Sequence, residues 1–521
     1  MVRQASDLPV HLNEETLIWS VETGAKHQYP MPTIVGDVCL IGGDGRGNPE
    51  PWHAKGGTLS CRQLSDGAER WRLMVPEGGY GPATYGTCGV PVVQGDRVYV
   101  MSMHDVFCLD LDGLADGNDG MQDELSILTR RPAKFEDGEP TSLPDWAADV
   151  IWHYDLKQFN IKVQDATSCS VIVVDDQVWV STANEIGSES RVYAEHEGKP
   201  HMVVLNKHDG SLIARDAMDV PIIFHGEWSS PSLIEVDGER AVIFPDGYGV
   251  LHAFAIPVPA ADGAPVILEE YWQYDCNLPE WRHMPDGREI VYTLDARLDY
   301  KYPAEYYSNP DRYYLYNDDE VPSKDGDNHS GFSRGNKPRA DGSHESVRGP
   351  DEIISMPAIV GNRIYIGIGR DGSYGLGRHS GRFLCLEVAD VRQPPHLLWQ
   401  DLEVGRTQCT ASISDGLVYL ADGFGMLNCW DAETGEVQYR FDLESRGIKE
   451  RSQLLADDKI YICDNKGTMK VIAAGPEPQL LAEDKIGHHC GTIEAVDGLV
   501  LVATSREVLL YGDRARLARS E

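Results

Sequence analysis

Eight times along its 521 residues the chain repeats one phrase: a small or polar residue, a short apolar stretch, a Gly/Asp turn, then alternating apolar residues. The copies are "PMPTIVGDVCLIGG", "CGVPVVQGDRVYVMS", "CSVIVVDDQVWVST", "SSPSLIEVDGERAVIFPDG", "SMPAIVGNRIYIGIG", "CTASISDGLVYLADG", "SQLLADDKIYICDN" and "GTIEAVDGLVLVATS". Gly, Asp and Asn supply turn dihedrals while Val, Ile and Tyr supply a pleated surface, so each copy reads as two short strands joined by a tight turn. A third strand and an aromatic-bearing fourth follow, as in "GTLSCRQLSDGAERWRLMV" and "MLNCWDAETGEVQYRFDL". Four strands per unit and eight units predict an all-β chain folded as an eight-bladed β-propeller of four-stranded antiparallel blades. The eighth unit, ending "EVLLYGD", lacks a fourth strand, and "TLIWSVETG" near the N-terminus has the missing pattern. Residues 15–21 are therefore expected to complete the last blade and close the ring, removing the sheet edges that invite aggregation. The whole chain, 1–521, is expected to be one domain with a long insertion at 275–351, between blades four and five.

Acidic residues outnumber basic ones, 83 Asp and Glu against 46 Lys and Arg, for a formal charge of −37. With no basic stripe, that balance excludes nucleic acid as a partner. No apolar run approaches the ~20 residues of a membrane-spanning helix, so no membrane span is expected. The stretch "MVRQASDLPVHLNEETLIW" has neither an apolar h-region nor a small-residue cleavage site. As given, the chain reads as cytoplasmic, or as periplasmic or secreted if a leader has been removed. The 11 cysteines occur singly. Cys39, Cys108, Cys385, Cys429 and Cys463 fall in strand-like runs and read as buried free thiols, which fits a reducing compartment.

In a four-stranded blade the first strand lies nearest the axis, so the residues entering it gather at one mouth of the central channel. These entries are polar: "KHQYPMP" with His27, "TYGTCG" with Tyr85, "VQDATSC" with Asp165, and "FHGEWSS" with His225, Glu227 and Trp228. They continue as "DEIISMP" with Asp351 and Glu352, "GRTQCT" with Arg406 and Gln408, "KERSQ" with Lys449 and Arg451, and "GHHCG" with His488 and His489. Each alone is an ordinary solvated strand entry. Together, imidazoles, guanidiniums and carboxylates at one mouth shift one another's pKa values, as groups in functional sites do. His225, His489, Tyr85, Arg451, Arg406 and Asp165 are the candidate catalytic residues, for proton transfer and for holding developing charge. His27, Trp228, Glu227 and Gln408 are candidate ligand contacts, joined by Trp52, His53, Arg370 and His379 from loops expected on the same face. His27, His225 and His489 also have the chemistry to hold a divalent metal in the channel, although no short metal signature accompanies them.

The insertion contains "LDYKYPAEYYSNPDRYYLYNDD", and loops this long in a compact domain serve as functional lids or stay without fixed structure. Clustered Tyr with Arg, Asn and Asp suits a polar ring-shaped ligand such as a sugar. On the opposite face, "DLDGLADGNDGMQDE" brings Asp110, Asp112, Asp116 and Asp119 into one loop. It is oxygen-rich enough for a structural Ca²⁺, though its glycines do not fall where an EF-hand requires them. A solvated acidic turn is the simpler alternative.

The Glu-Thr-Gly beside an aromatic strand in "LNCWDAETGEVQYRF" and "LIWSVETG" resembles the tryptophan-docking repeats of quinoprotein-like eight-bladed propellers. That group includes the pyrroloquinoline-quinone (PQQ) alcohol dehydrogenases and the outer-membrane assembly lipoproteins. The resemblance spans essentially the whole chain and implies architecture more strongly than activity. For the dehydrogenases it implies an adjacent-cysteine disulfide, a tryptophan floor, a Glu–Asn–Asp calcium set and an export signal. This chain has no adjacent cysteines, which argues against PQQ as its cofactor. For the assembly lipoproteins the resemblance implies a protein partner and a non-catalytic scaffold. Neither accounts for the polar mouth. The expected function is therefore binding of a small molecule or saccharide there, with acid–base chemistry of lyase, hydrolase or epimerase type as a further step. A protein-interaction scaffold and a PQQ-dependent dehydrogenase are the alternatives.

Overall fold

The computed structural model describes residues 2–23, 31–44, 56–76, 87, 89–128, 142–161, 169–183, 198–220, 227–293, 312–317, 350–369, 381–445, 453–464, 466–487 and 490–517. Eight antiparallel sheets of four strands form the propeller expected from the repeats. Blade one runs from the axis outward as Thr33–Val35, Val38–Asp44, Gly56–Gln63 and Glu69–Pro76, and the later blades repeat that order. Innermost strands such as Val92–Gln94, Ile172–Val174, Ser412–Ser414 and Leu454–Ala456 are short. The turn that follows them is tight, and Asp415 and Gly416 both take positive φ, 51° and 75°. That is the two-residue geometry matching the twist of the flanking strands, and it is why Asp and Gly recur there.

Neighbouring blades are joined by tryptophans. Trp71, Trp152, Trp272 and Trp399 on outermost strands donate their indole N–H to Leu111, Lys207, Val391 and Ala432 at 2.8, 2.9, 3.0 and 3.2 Å. Each acceptor lies just past the third strand of the next blade. Gly113, Gly210 and Gly435 sit under the rings of Trp71, Trp152 and Trp399 in left-handed backbone, where a Cβ would strike the indole. The rings are buried, so each junction combines apolar burial with a satisfied indole donor.

Leu17–Glu22 pairs antiparallel with Glu507–Gly512 and supplies the fourth strand of blade eight. The closing strand thus lies within two residues of the expected segment. Its Trp19 donates to Leu64 of blade one at 2.8 Å, so the same junction crosses the seam of the ring. A further strand was not visible in the sequence. Val2–Arg3 pairs parallel with Leu454–Ala456, the innermost strand of blade seven, and so lies on its channel side. Arg3 donates Nε and Nη2 to the two carboxylate oxygens of Glu494 on blade eight, each at 2.6 Å.

The stem of the long insertion is clasped. Asn277 Nδ2 donates to the Asp351 carbonyl at 3.0 Å, and Asp351 N donates to Asn277 Oδ1 at 2.7 Å. Within the insertion, the one-turn helix Pro279–Arg282 precedes Glu289–Thr293, which pairs parallel with Tyr313–Asn317. Arg282 stacks 3.8 Å above the Tyr248 ring and donates to both Asp275 oxygens.

The cysteines require one correction. Cys39, Cys61, Cys108, Cys169, Cys276, Cys385, Cys409 and Cys429 are buried and free, as strand-packed thiols should be. Cys463, expected to be another, is disulfide-bonded. Among the described residues, no helix is long and apolar enough to cross a membrane.

Candidate functional site

One face of the ring gathers the entries to the innermost strands and the turns between second and third strands. Three of those turns share a construction in which an Asp at the end of the second strand accepts from backbone N–H groups two and four residues on. Asp246 accepts from Tyr248 and Val250, Asp422 from Phe424 and Met426, and Asp464 from Lys466 and Thr468. The glycines at the third position, Gly249, Gly425 and Gly467, adopt positive φ of 88°, 83° and 75°, which is why only glycine serves there.

The turn of blade six positions Arg406. The second oxygen of Asp422 accepts from Gly405 N at 2.9 Å, and Gly423 N donates to the Arg406 carbonyl at 2.9 Å. The Arg406 side chain lies over Gly423, where a Cβ would stand 2.6 Å from its Cγ. From blade five, a Cβ on Gly369 would come within 2.5 Å of Arg406 Cα, and one on Gly367 would collide with Thr407 Oγ1. Gly367 and Gly369 thus leave the space that the blade-six entry occupies. Gly369 N also donates to the Glu352 carbonyl at 3.2 Å, which brings the entries of blades five and six together.

In that sector Thr407 is fully buried and its hydroxyl has no hydrogen-bond partner. Gln408 is 9% exposed, and neither its amide oxygen nor its amide nitrogen has one. Gln453, at the entry of blade seven, shows the contrast. It is also buried, but its Nε2 donates to Thr410 O, Ser412 Oγ and Tyr419 O, and its Oε1 accepts from Ala421 N. Buried amides are ordinarily paired, so the unpaired Gln408 is the exception that needs a cause.

Between blades three and four the charges are instead closed off. Glu227 is 0% exposed, and both its oxygens lie 2.8 Å from His201 Nδ1. Burial alone would lower the His201 pKa, but Glu227 outweighs it and lifts the imidazole to about 9. Burial also pushes the Glu227 carboxyl up, which His201 opposes. Both carboxylate oxygens face one ring nitrogen, so the two groups are closed on each other. His252 is similarly enclosed: burial opposes its charge, yet hydrogen bonds to Asp246 at 3.1 Å and Glu270 at 2.6 Å raise it to about 9.

Of the residues singled out in the sequence, Arg406 and Gln408 lie two residues apart at the entry of blade six, Arg406 against Gly423 and Gln408 buried. Glu227 is turned into the His201 pair, and the neighbouring Trp228 is half-buried. His27, Trp52, His53, Tyr85, Asp165, His225, Arg370, His379, Arg451 and His489 lie outside the described residues. On the opposite face Asp110, Asp112 and Asp116 converge, whereas Asp119 is not in their group. Thr407 and His201 were missed in the sequence. His201 stands just before the third strand of blade three, a position that the blade repeat marks as facing the mouth.

A family model described as outer membrane protein assembly factor BamB matches residues 387–480, from the end of the third strand of blade five to the outermost strand of blade seven. No curated protein matches the chain in sequence. Among solved structures, BamB from Moraxella catarrhalis is 11% identical with a TM-score of 0.53, over 96% of this chain and 99% of that one. Sqt1 from Saccharomyces cerevisiae is 8% identical with a TM-score of 0.51, over 96% and 99%. Quinohemoprotein alcohol dehydrogenase from Comamonas testosteroni, at 9% identity over 96% and 78%, gives a TM-score of 0.41. At such identities the likeness shows the fold alone, and in fold the resemblance to quinoprotein-like propellers holds.

Proposed function

We propose that this propeller binds a small polar molecule of saccharide type at its channel mouth, in the sector where blades five and six meet. The observation that carries the reading is the Gln408 amide, buried with both ends unpaired beside the unpaired Thr407 hydroxyl. A ligand offering a hydroxyl or carboxylate would satisfy both groups, and Arg406 beside them would hold its negative charge. The stem of the 275–351 insertion packs on Tyr248, in the mouth-facing turn of blade four, which supports its role as a lid. If chemistry follows binding, His225, His489, Tyr85 or Asp165 would move the proton, and Arg451 would share charge stabilisation with Arg406.

The test is a thermal-shift panel of neutral and acidic monosaccharides on the wild type and on Gln408→Leu. Removing an unsatisfied buried amide should raise the basal stability by ~1–2 kcal/mol, while the ligand-induced shift seen in the wild type disappears. A variant that is less stable and still shifts with the same sugars would overturn the reading.

One observation favours a second reading, a protein-interaction scaffold. Leu397, Leu398 and Leu402, on and just past the outermost strand of blade five, are 40%, 39% and 40% exposed. A partner that lost its grip on Leu398→Glu but not on Gln408→Leu would support it.

A further inference from the structure

One rim position recurs in every blade: the outermost-strand residue opposite the next-to-last residue of the third strand. On blades one and four it is an acid, Glu69 opposite Arg62 and Glu270 opposite Phe254. On blades two, three and eight it is apolar, and other parts of the chain pack on it. Val150 is 2% exposed, and Met121 of the preceding loop donates its N–H to the Val150 carbonyl at 2.8 Å. Leu212 is half-buried against the cluster around Trp152, and the open edge of its strand takes Val266–Ile267 in parallel. Leu17 packs on the cluster that holds Leu8 and Leu12.

On blades five, six and seven the position is apolar and bare. Leu397, Val437 and Leu480, opposite Leu386, Trp430 and Ile472, are 40%, 42% and 42% exposed. A bare aliphatic residue at one register position of three consecutive blades is not the scatter of single apolar residues that any surface shows. Among the described residues, His396–Asp401, Val437–Asp442 and Gln479–Lys485 are each the last strand of their sheet. Such edges are ordinarily blunted by charge at the exposed positions or by a covering segment.

Two features specify the cover. Blade three shows its form, an extended aliphatic segment laid along the outermost strand, with Leu268 N donating to Arg215 O at 2.9 Å and the Leu268 side chain buried. The second feature is charge. Glu403, Glu436, Asp442 and Glu483 stand exposed on or beside the three strands, while Arg392 is paired with Glu239 and Arg440 with Asp401. A cavity of about 440 Å³ lined by Pro394, Pro395 and His396 lies just before Leu397 and has room for an anchoring side chain.

We propose that the outer edges of blades five to seven bind extended segments of a partner protein, aliphatic at alternate positions and basic between them, each added as a strand. A second copy of this chain, with a charge of −37, would set acid against acid. The proposal rests on the scaffold reading, whose partner it defines, and is independent of the saccharide site.

The test measures fluorescence anisotropy of a labelled Lys-Leu-Lys-Leu-Lys-Leu-Lys peptide with the full chain, with the triple variant Leu397→Glu, Val437→Glu, Leu480→Glu, and with Gln408→Leu. A Lys-Gly peptide of equal charge and a Leu-Lys peptide at helical spacing are measured beside it. We expect saturable binding of the alternating peptide, weakened roughly tenfold or more in the triple variant and unchanged in Gln408→Leu, with the Lys-Gly peptide bound far more weakly. Three added negative charges would strengthen a merely electrostatic contact, so a loss reads the aliphatic contacts. The proposal is overturned if the alternating peptide does not bind, or binds the triple variant as well as the wild type. If the helical peptide alone binds and is lost in the triple variant, the scaffold reading stands and only the added strand falls. If the triple variant weakens neither peptide, both fall.

Discussion

Burying the carboxylate of Glu227 is tolerable because His201 meets it with one ring nitrogen at 2.8 Å from each oxygen. Breaking such a pair leaves the other charge stranded, so Glu227→Gln should cost ~3–5 kcal/mol in chemical denaturation. The second enclosed histidine gives a pH signature. The folded pKa of His252 is raised from 6.5 to about 9, so its stabilising contribution is complete below pH 6.5 and is lost as pH rises through about 9. The wild-type Tm should fall across that window, and the fall should be smaller in His252→Asn; equal slopes in the two proteins would refute the assignment. The chemistry of Glu227 could be read from "FHGEWSS", but not its task. Its partner sits 26 residues earlier in a turn of the preceding blade, and one-dimensional order does not say which turns meet. Gln408 was legible as a polar strand entry; its lack of partners was not, because that depends on which groups other strands bring within reach.

At the scale of elements, the repeats translated well because each blade needs the same two things: a tight inner hairpin and an outer aromatic. The hairpins were readable from Asp and Gly, and the docking was readable from Glu-Thr-Gly, whose Gly435 lies under Trp399. What no local pattern could show was the extra parallel pairing of Val2–Arg3, since two residues carry no periodicity. The docking makes a paired prediction on blade six. Gly435 and Gly416 both have φ of 75°, but a Cβ at Gly435 would lie 2.5 Å from two Trp399 ring carbons, whereas one at Gly416 meets nothing within 4 Å. Gly416→Ala should therefore cost only the left-handed backbone penalty, ~1–2 kcal/mol. Gly435→Ala should cost that and a further ~1–3 kcal/mol of overpacking. Equal losses by denaturant unfolding would mean that the tryptophan junction gives way freely and does not clamp the blades.

For the whole molecule, the seam decides stability, because seven blades are continuous in sequence and the eighth is assembled from both ends of the chain. Among the contacts that hold it are the Leu17–Glu22 strand on Glu507–Gly512, Trp19 on blade one, the fully buried Leu12 in the core of blades seven and eight, and Arg3 on Glu494. They differ in kind, and so should the consequences of losing them. Leu12→Ala leaves a cavity and should cost ~2–5 kcal/mol while the ring stays closed and the chain keeps its oligomeric state. Removing residues 2–22 does something else, for it bares the backbone donors and acceptors of Glu507–Gly512 as an open sheet edge. An exposed edge of that length pairs with another chain. The truncated protein should therefore self-associate in light scattering, and a synthetic peptide of residues 2–23 added in trans should return it to the state of the full chain. If the truncated protein keeps the Tm and mass of the full chain, the ring is held by its inter-blade junctions alone and the N-terminal strand is only its cover.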